Sequence, residues 1–214
     1  MYGIKMKKHY PQRLLRKSHD ASNMKLSHIS LKEYYETYDT YRKSIPLVLK
    51  KLKLTRFHTI YDFCSSHGFD ITYIIARNKA KYGIAHDIHP SKASRLLWSR
   101  YPRIAARMEY RKEDIYTTKY NLKDNSLIMS IHPCRGLALR VCDISIENKL
   151  PVVIVPCCIG KIDPFFASFE NIKKYDKWCL TVGQRLTKAD YNISVRYIRK
   201  AATPVNTIII GTPP

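Results

Sequence analysis

One run constrains the fold of this chain more than any other: Ile60-Tyr61-Asp62-Phe63-Cys64-Ser65-Ser66-His67-Gly68-Phe69. Apolar residues from Thr59 to Phe63 read as a short strand. Small and polar residues follow, ending at Gly68, and an amphipathic pattern from Ile71 to Lys81 reads as a helix. A strand passing through a tight turn into a helix is the opening unit of a parallel α/β sheet. Two later stretches, Ser130-Ile131-His132-Pro133-Cys134 and Pro156-Cys157-Cys158, read as further strand ends. In open α/β sheets such ends share one edge, and ligands bind there.

The remaining pattern agrees with that architecture. Gly83 to Asp87, Met108 to Tyr110, Leu127 to Ile131 and Val152 to Val155 read as strands, the last β-branched throughout, as suits a central parallel strand. Ser91 to Arg100, Leu137 to Glu147 and Lys173 to Leu186 read as helices. Ile193 to Ile198 and Thr207 to Ile210 read as a closing hairpin. The expected fold is therefore α/β, a doubly wound, mostly parallel, Rossmann-like sheet with an antiparallel C-terminal hairpin. It should occupy residues 56–214, behind a basic extension over 1–55. In that extension Ser30 caps a helix with Glu33 three residues on, and a short second helix runs from Leu47 to Leu54.

Charge narrows the function. The net charge is +21 over 214 residues, spread along the chain rather than held in one tail. So basic a globular protein fits a polyanionic partner, and nucleic-acid phosphates are the usual one. Lys7 and Lys8 in the extension, and Arg95, Arg103 and Arg107 between the second and third strands, are the candidate RNA contacts. They are expected to gather around the ligand edge. The six cysteines show no C-x-x-C pair and no zinc-ligand spacing, so reduced thiols and no metal are expected. No apolar run is long enough to span a membrane, so the chain reads as soluble. Lys5, Lys7, Lys8, Arg13, Arg16 and Lys17 precede the first acid, Asp20. That leaves a mitochondrial destination open beside a cytoplasmic one.

Three acids fall at successive strand ends: Asp62, Asp87 and Asp114. Asp87 lies about twenty residues beyond the first turn, the separation at which a carboxylate reaches ribose hydroxyls in nucleoside-binding folds. Asp114 stands where a carboxylate can meet a base amino group. Each alone could be a helix cap or loop residue; the series of three is the signal. Cys64 and Gly68 belong to the turn itself, where the backbone must come close to a ligand. His132, after the fourth strand, is the candidate catalytic residue, because a neutral imidazole there can take a proton from a hydroxyl or orient it.

This pattern resembles class I S-adenosylmethionine-dependent methyltransferases over roughly residues 56 to 214. A narrower likeness lies in His132-Pro133-Cys134-Arg135-Gly136 and Pro156-Cys157-Cys158-Ile159-Gly160. These are similar to the H-x-C-G … P-C-C-Y-G signature of a subfamily that includes eukaryotic tRNA ribose methyltransferases. The chain departs from that pattern at Ser66, where glycine is common, at the inserted Arg135, and at Ile159 in place of tyrosine. The resemblance implies S-adenosylmethionine as cofactor and methylation of rRNA or tRNA as the activity. The alternative is an inactive RNA-binding protein that kept the fold, as a component or assembly factor of a ribonucleoprotein.

Overall fold

The computed structural model describes residues 57–66, 68–77, 80–89, 95, 98–134, 136–156, 169–197 and 207–214. The basic extension with Lys7 and Lys8, and the cysteine pair Cys157-Cys158, lie outside these residues, as does most of the helix expected from Ser91.

Seven strands form one sheet: β1 (Thr59–Phe63), β2 (Tyr82–Asp87), β3 (Met108–Lys112), β4 (Ser126–Ile131), β5 (Val152–Val155), β6 (Asn192–Tyr197) and β7 (Thr207–Thr212). Their order is β3-β2-β1-β4-β5-β7-β6. The first five are parallel, and β7 runs antiparallel to both β5 and β6. The strand order reverses between β1 and β4, which makes the crevice above their carboxyl ends the topological switch point.

The central strands are apolar because both faces are covered. On one face Ile60, Met129, Val153 and Ile210 pack with Ile71, Ile74 and Ile75 of helix α1 (Phe69–Ala76). A short turn of helix, α2 (Pro102–Ala105), leads into β3. On the other face Tyr61, Phe63, Ile128 and Ile154 pack with Val141 and Ile144 of α3 (Leu137–Asn148) and Val182 and Leu186 of α4 (Phe169–Thr187).

The structure shifts two boundaries. Helix α1 begins at Phe69, directly after left-handed Gly68, and stops at Ala76, short of the expected Lys81. The chain must leave the helix early so that the amides of Lys81 and Tyr82 can both bond the His58 carbonyl (3.1 and 3.0 Å) and start β2. Strand β3 runs on through Arg111 and Lys112, paired with His86 and Asp87. From there residues 113–125 reach β4 without a helix. Buried Ile115 and Leu122 instead fill the α3 face, and Arg140 Nε bonds the Ile115 carbonyl at 3.0 Å.

Gly83 sets how closely α1 approaches the sheet. A Cβ there would lie 2.8 Å from Met108 Sδ and 2.9 Å from Cγ1 of both Ile71 and Ile75. Gly83→Ala is expected to destabilise the fold by about 1–3 kcal/mol through overpacking. A lowered denaturant midpoint with unchanged m-value would show it, whereas an unshifted midpoint would mean that the helix yields freely.

Candidate functional site

The turn after β1 is built on alternate left-handed residues. Cys64, Ser66 and Gly68 have φ of 60°, 50° and 64°. Only glycine adopts this conformation without steric cost, so Cys64 and Ser66 each hold about 1 kcal/mol or more of strain. The surroundings enforce it. Ser66 N–H donates to Asp87 Oδ2 at 2.8 Å, Ser65 N–H to the His86 carbonyl at 3.2 Å, and Gly68 N–H to the Ser65 carbonyl at 2.8 Å. From β3 the Tyr110 hydroxyl donates to the Ser66 carbonyl at 2.8 Å. Thr72 Oγ1 donates to the Gly68 carbonyl at 2.5 Å and receives Trp98 Nε1 at 3.0 Å.

The predicted cofactor residues come together at this edge. Asp62 is buried at the end of β1, next to the turn. Asp87 ends β2, and its other oxygen accepts from His89 N–H at 3.0 Å. Each carboxylate oxygen thus keeps further acceptor capacity. Burial, then the charges of Asp87 and Asp62, push the Cys64 thiol up to about 12, so it stays neutral. Burial likewise raises the Tyr110 phenol to about 12. Asp114 follows β3, where its Oδ1 accepts from Tyr116 N–H at 2.9 Å and its carbonyl from Thr117 and Thr118.

His132 follows β4 at the same edge, with left-handed φ of 63° and its N–H on the Val155 carbonyl at 2.9 Å. Cys134 is an exposed thiol whose Sγ lies 3.7 Å from the His132 carbonyl.

The arginines lie elsewhere. Arg107 precedes β3, at the amino edge of the sheet, and its Nε and Nη2 bond the carbonyls of Lys81 (2.9 Å) and Ala80 (2.5 Å). Exposed Arg103, on α2, leads into the same edge. The expectation that these two surround the ligand edge is therefore corrected: a parallel strand's first residues lie opposite its ligand end. Arg95 is exposed in the segment between β2 and β3.

Two features were not anticipated from the sequence. Ile88, directly after Asp87, is 48% exposed. An apolar side chain beside a strand-end carboxylate offers a surface for a base next to an acceptor for its sugar. The second feature is His86, 2% exposed, stacked on Phe63 at 4.5 Å with Nδ1 on Glu113 Oε2 at 2.8 Å. Desolvation lowers its pKa from 6.5 and outweighs the raising effect of the Glu113 bond and charge, with Arg111 adding to the lowering and Glu109 opposing it. The unfolded chain then binds the proton more readily than the folded one. Stability is full above pH 6.5 and falls as the pH drops below that value. Denaturant midpoints at neutral and mildly acidic pH should show this loss, and His86→Gln should flatten it.

The chemistry of the edge separates nucleoside classes. Among the described residues the turn's amides at Ser65, Ser66 and Gly68 are engaged by protein acceptors, so those three are not free to cradle a pyrophosphate. The described strand ends at this edge carry the carboxylates of Asp62, Asp87 and Asp114. That set suits hydroxyl and ammonium donors, and the residues fit a cationic nucleoside such as S-adenosylmethionine.

Comparisons with known proteins agree on the fold. It is that of S-adenosylmethionine-dependent methyltransferases. An O-methyltransferase family protein from Burkholderia thailandensis superimposes with a TM-score of 0.57 at 12% identity, over 94% of this chain and 70% of the other. The methyltransferase domain of bacterial CtHen1-CN gives 0.58 at 12%, over 80% and 98%. The B. subtilis M1A22 tRNA methyltransferase TrmK gives 0.55 at 12%, over 80% and 66%. No family model and no curated protein matches the sequence.

Proposed function

We propose that this protein is an S-adenosylmethionine-dependent methyltransferase acting on RNA, rRNA or tRNA. The observation that carries the reading is the row of carboxylates at the carboxyl ends of the neighbouring strands β1, β2 and β3, Asp62, Asp87 and Asp114, beside the turn of Cys64 and Gly68 and next to the β1–β4 switch point. Asp87 would accept from the ribose hydroxyls with Ile88 against the base, and Asp114 would meet the base's amino group through its remaining oxygen. When bound, the cofactor supplies an electrophilic methyl group on a sulfonium. His132 would take the proton from the acceptor, and the rest of the catalysis is positioning. The RNA part is supported by the +21 net charge and by the tRNA methyltransferase among the fold neighbours. The H-x-C-G … P-C-C-Y-G likeness adds to it through His132 and Cys134.

Calorimetry with S-adenosylmethionine tests the reading. Binding with one site per chain is expected, and no heat of binding at millimolar cofactor would sink it. One observation favours the second reading, an inactive RNA-binding protein that serves as a component or assembly factor of a ribonucleoprotein. The left-handed positions 64 and 66 carry Cβ atoms where the backbone would approach a cofactor.

A further inference from the structure

The two edges of the sheet differ in charge. Among the described residues the carboxyl edge carries the acids Asp62, Asp70, Asp87, Glu113 and Asp114, together with Lys112 and with Arg111, which is paired with Glu109. The amino edge carries the opposite sign. Arg107 before β3, Lys81 at the start of β2 and Lys123 before β4 form a row of cations across the sheet, with the ring of His58, before β1, between Lys81 and Lys123. Lys149, before β5, extends it. Four inter-strand gaps of about 4.8 Å make that row about 19 Å long. Of the acids nearby, Glu109 is paired with Arg111 at 2.7 Å and Glu147 with Arg140 at 2.7 Å, and Asp124 interrupts the row.

Aromatic rings are set among these cations. The rings of exposed His58 and Tyr82, the latter 39% exposed, stand 5.1 Å apart at 48°. Lys81 Nζ lies 5.2 Å from the Tyr82 ring centroid. The arrangement is fixed from beneath, because Arg107 clamps the carbonyls of Ala80 and Lys81 and the His58 carbonyl receives the amides of Lys81 and Tyr82. A cationic row with exposed rings held in place is how proteins grip unpaired nucleic acid: cations track the phosphates and rings meet the bases.

We infer that the amino edge of the sheet, opposite the cofactor crevice, is a binding surface for single-stranded or looped RNA, built on Lys81, Tyr82, His58 and Lys123. This rests on the reading of RNA as ligand, but not on cofactor binding or catalysis. The crevice edge, where five acids outnumber Arg111 and Lys112, attracts a polyanion less than the amino edge does. A polyanion approaching the crevice meets carboxylates, and a remote basic edge supplies the missing attraction.

The test is fluorescence anisotropy with a labelled single-stranded RNA of mixed sequence, between about 50 and 200 mM salt. Lys81→Gln with Lys123→Gln should weaken binding and lower the slope of log K against log salt by about 1.4, two single-strand phosphate contacts. Tyr82→Ala should weaken binding about tenfold with the slope unchanged, and Tyr82→Phe, which keeps the ring, should retain affinity. The double variant and both Tyr82 variants should keep the wild-type melting curve and cofactor affinity. If wild-type protein binds RNA and the variants bind as tightly, the inference falls while the RNA reading stands. If wild-type protein binds no RNA, the RNA reading itself falls and the inference with it. Binding of anionic vesicles or polyglutamate in its place, lost in the same variants, would overturn the inference in favour of a lipid or acidic-protein surface.

Discussion

Replacing His132 by asparagine is expected to lower methyl-transfer turnover by about 10²–10⁴-fold, the range of a lost general base. Asparagine is the informative substitution because of the backbone. His132 has φ of 63°, and asparagine tolerates the left-handed region better than alanine does. The N–H bond to the Val155 carbonyl should survive, so the loop after β4 stays in place. Cofactor affinity and melting temperature should then match wild type, and the loss should appear in kcat rather than KM. Turnover within twofold of wild type would assign His132 to the turn alone. Cys134 offers a contrast. Its thiol is exposed in the same loop, and Cys134→Ser should leave turnover near wild type if proton transfer rather than a covalent adduct carries the reaction.

The fold was legible because its signals are local and repeated. β1 and β5 could be read to the residue, since apolar runs bounded by turn residues leave little freedom. The C-terminal antiparallel pair was legible for the same reason. The end of α1 was not, because what stops the helix is a tertiary demand: two amides must reach the His58 carbonyl. The site was legible only in part. The strand-end position of Asp62 and Asp87 follows from spacing, and the structure brings both to the crevice. Arg103 and Arg107 are placed by direction within the sheet rather than by charge. Both precede a parallel strand, and that order alone places them at the edge away from the ligand. The left-handed turn at Cys64 and Ser66 was hidden for a different reason. Glycine advertises such a conformation, whereas here hydrogen bonds from β2 and β3 impose it on residues that disfavour it.

That dependence makes Asp87 the position whose loss should do most damage to the crevice. In Asp87→Ala the Ser66 amide loses its charged acceptor at 2.8 Å, and the His89 amide loses its own at 3.0 Å. A hydrogen bond to a charged group contributes about 1.5–3 kcal/mol. Tyr110 still donates to the Ser66 carbonyl, but the Ser66 amide is left without its charged acceptor, so the strained turn should loosen and its Cβ-bearing residues move. The same substitution removes the proposed acceptor for the ribose hydroxyls. Both effects act on one site, and S-adenosylmethionine affinity should fall at least about a hundredfold, each 1.4 kcal/mol being tenfold. Asp87→Asn separates the two. Its amide oxygen can still receive Ser66 N–H, so melting should stay nearer wild type, while the loss of charge weakens the bonds to the nucleoside. Calorimetry and thermal melting on the pair decide the matter. If both variants bind cofactor like wild type, Asp87 serves only to hold the turn. If Asp87→Asn melts like wild type and still loses the cofactor, the carboxylate itself is part of the binding site.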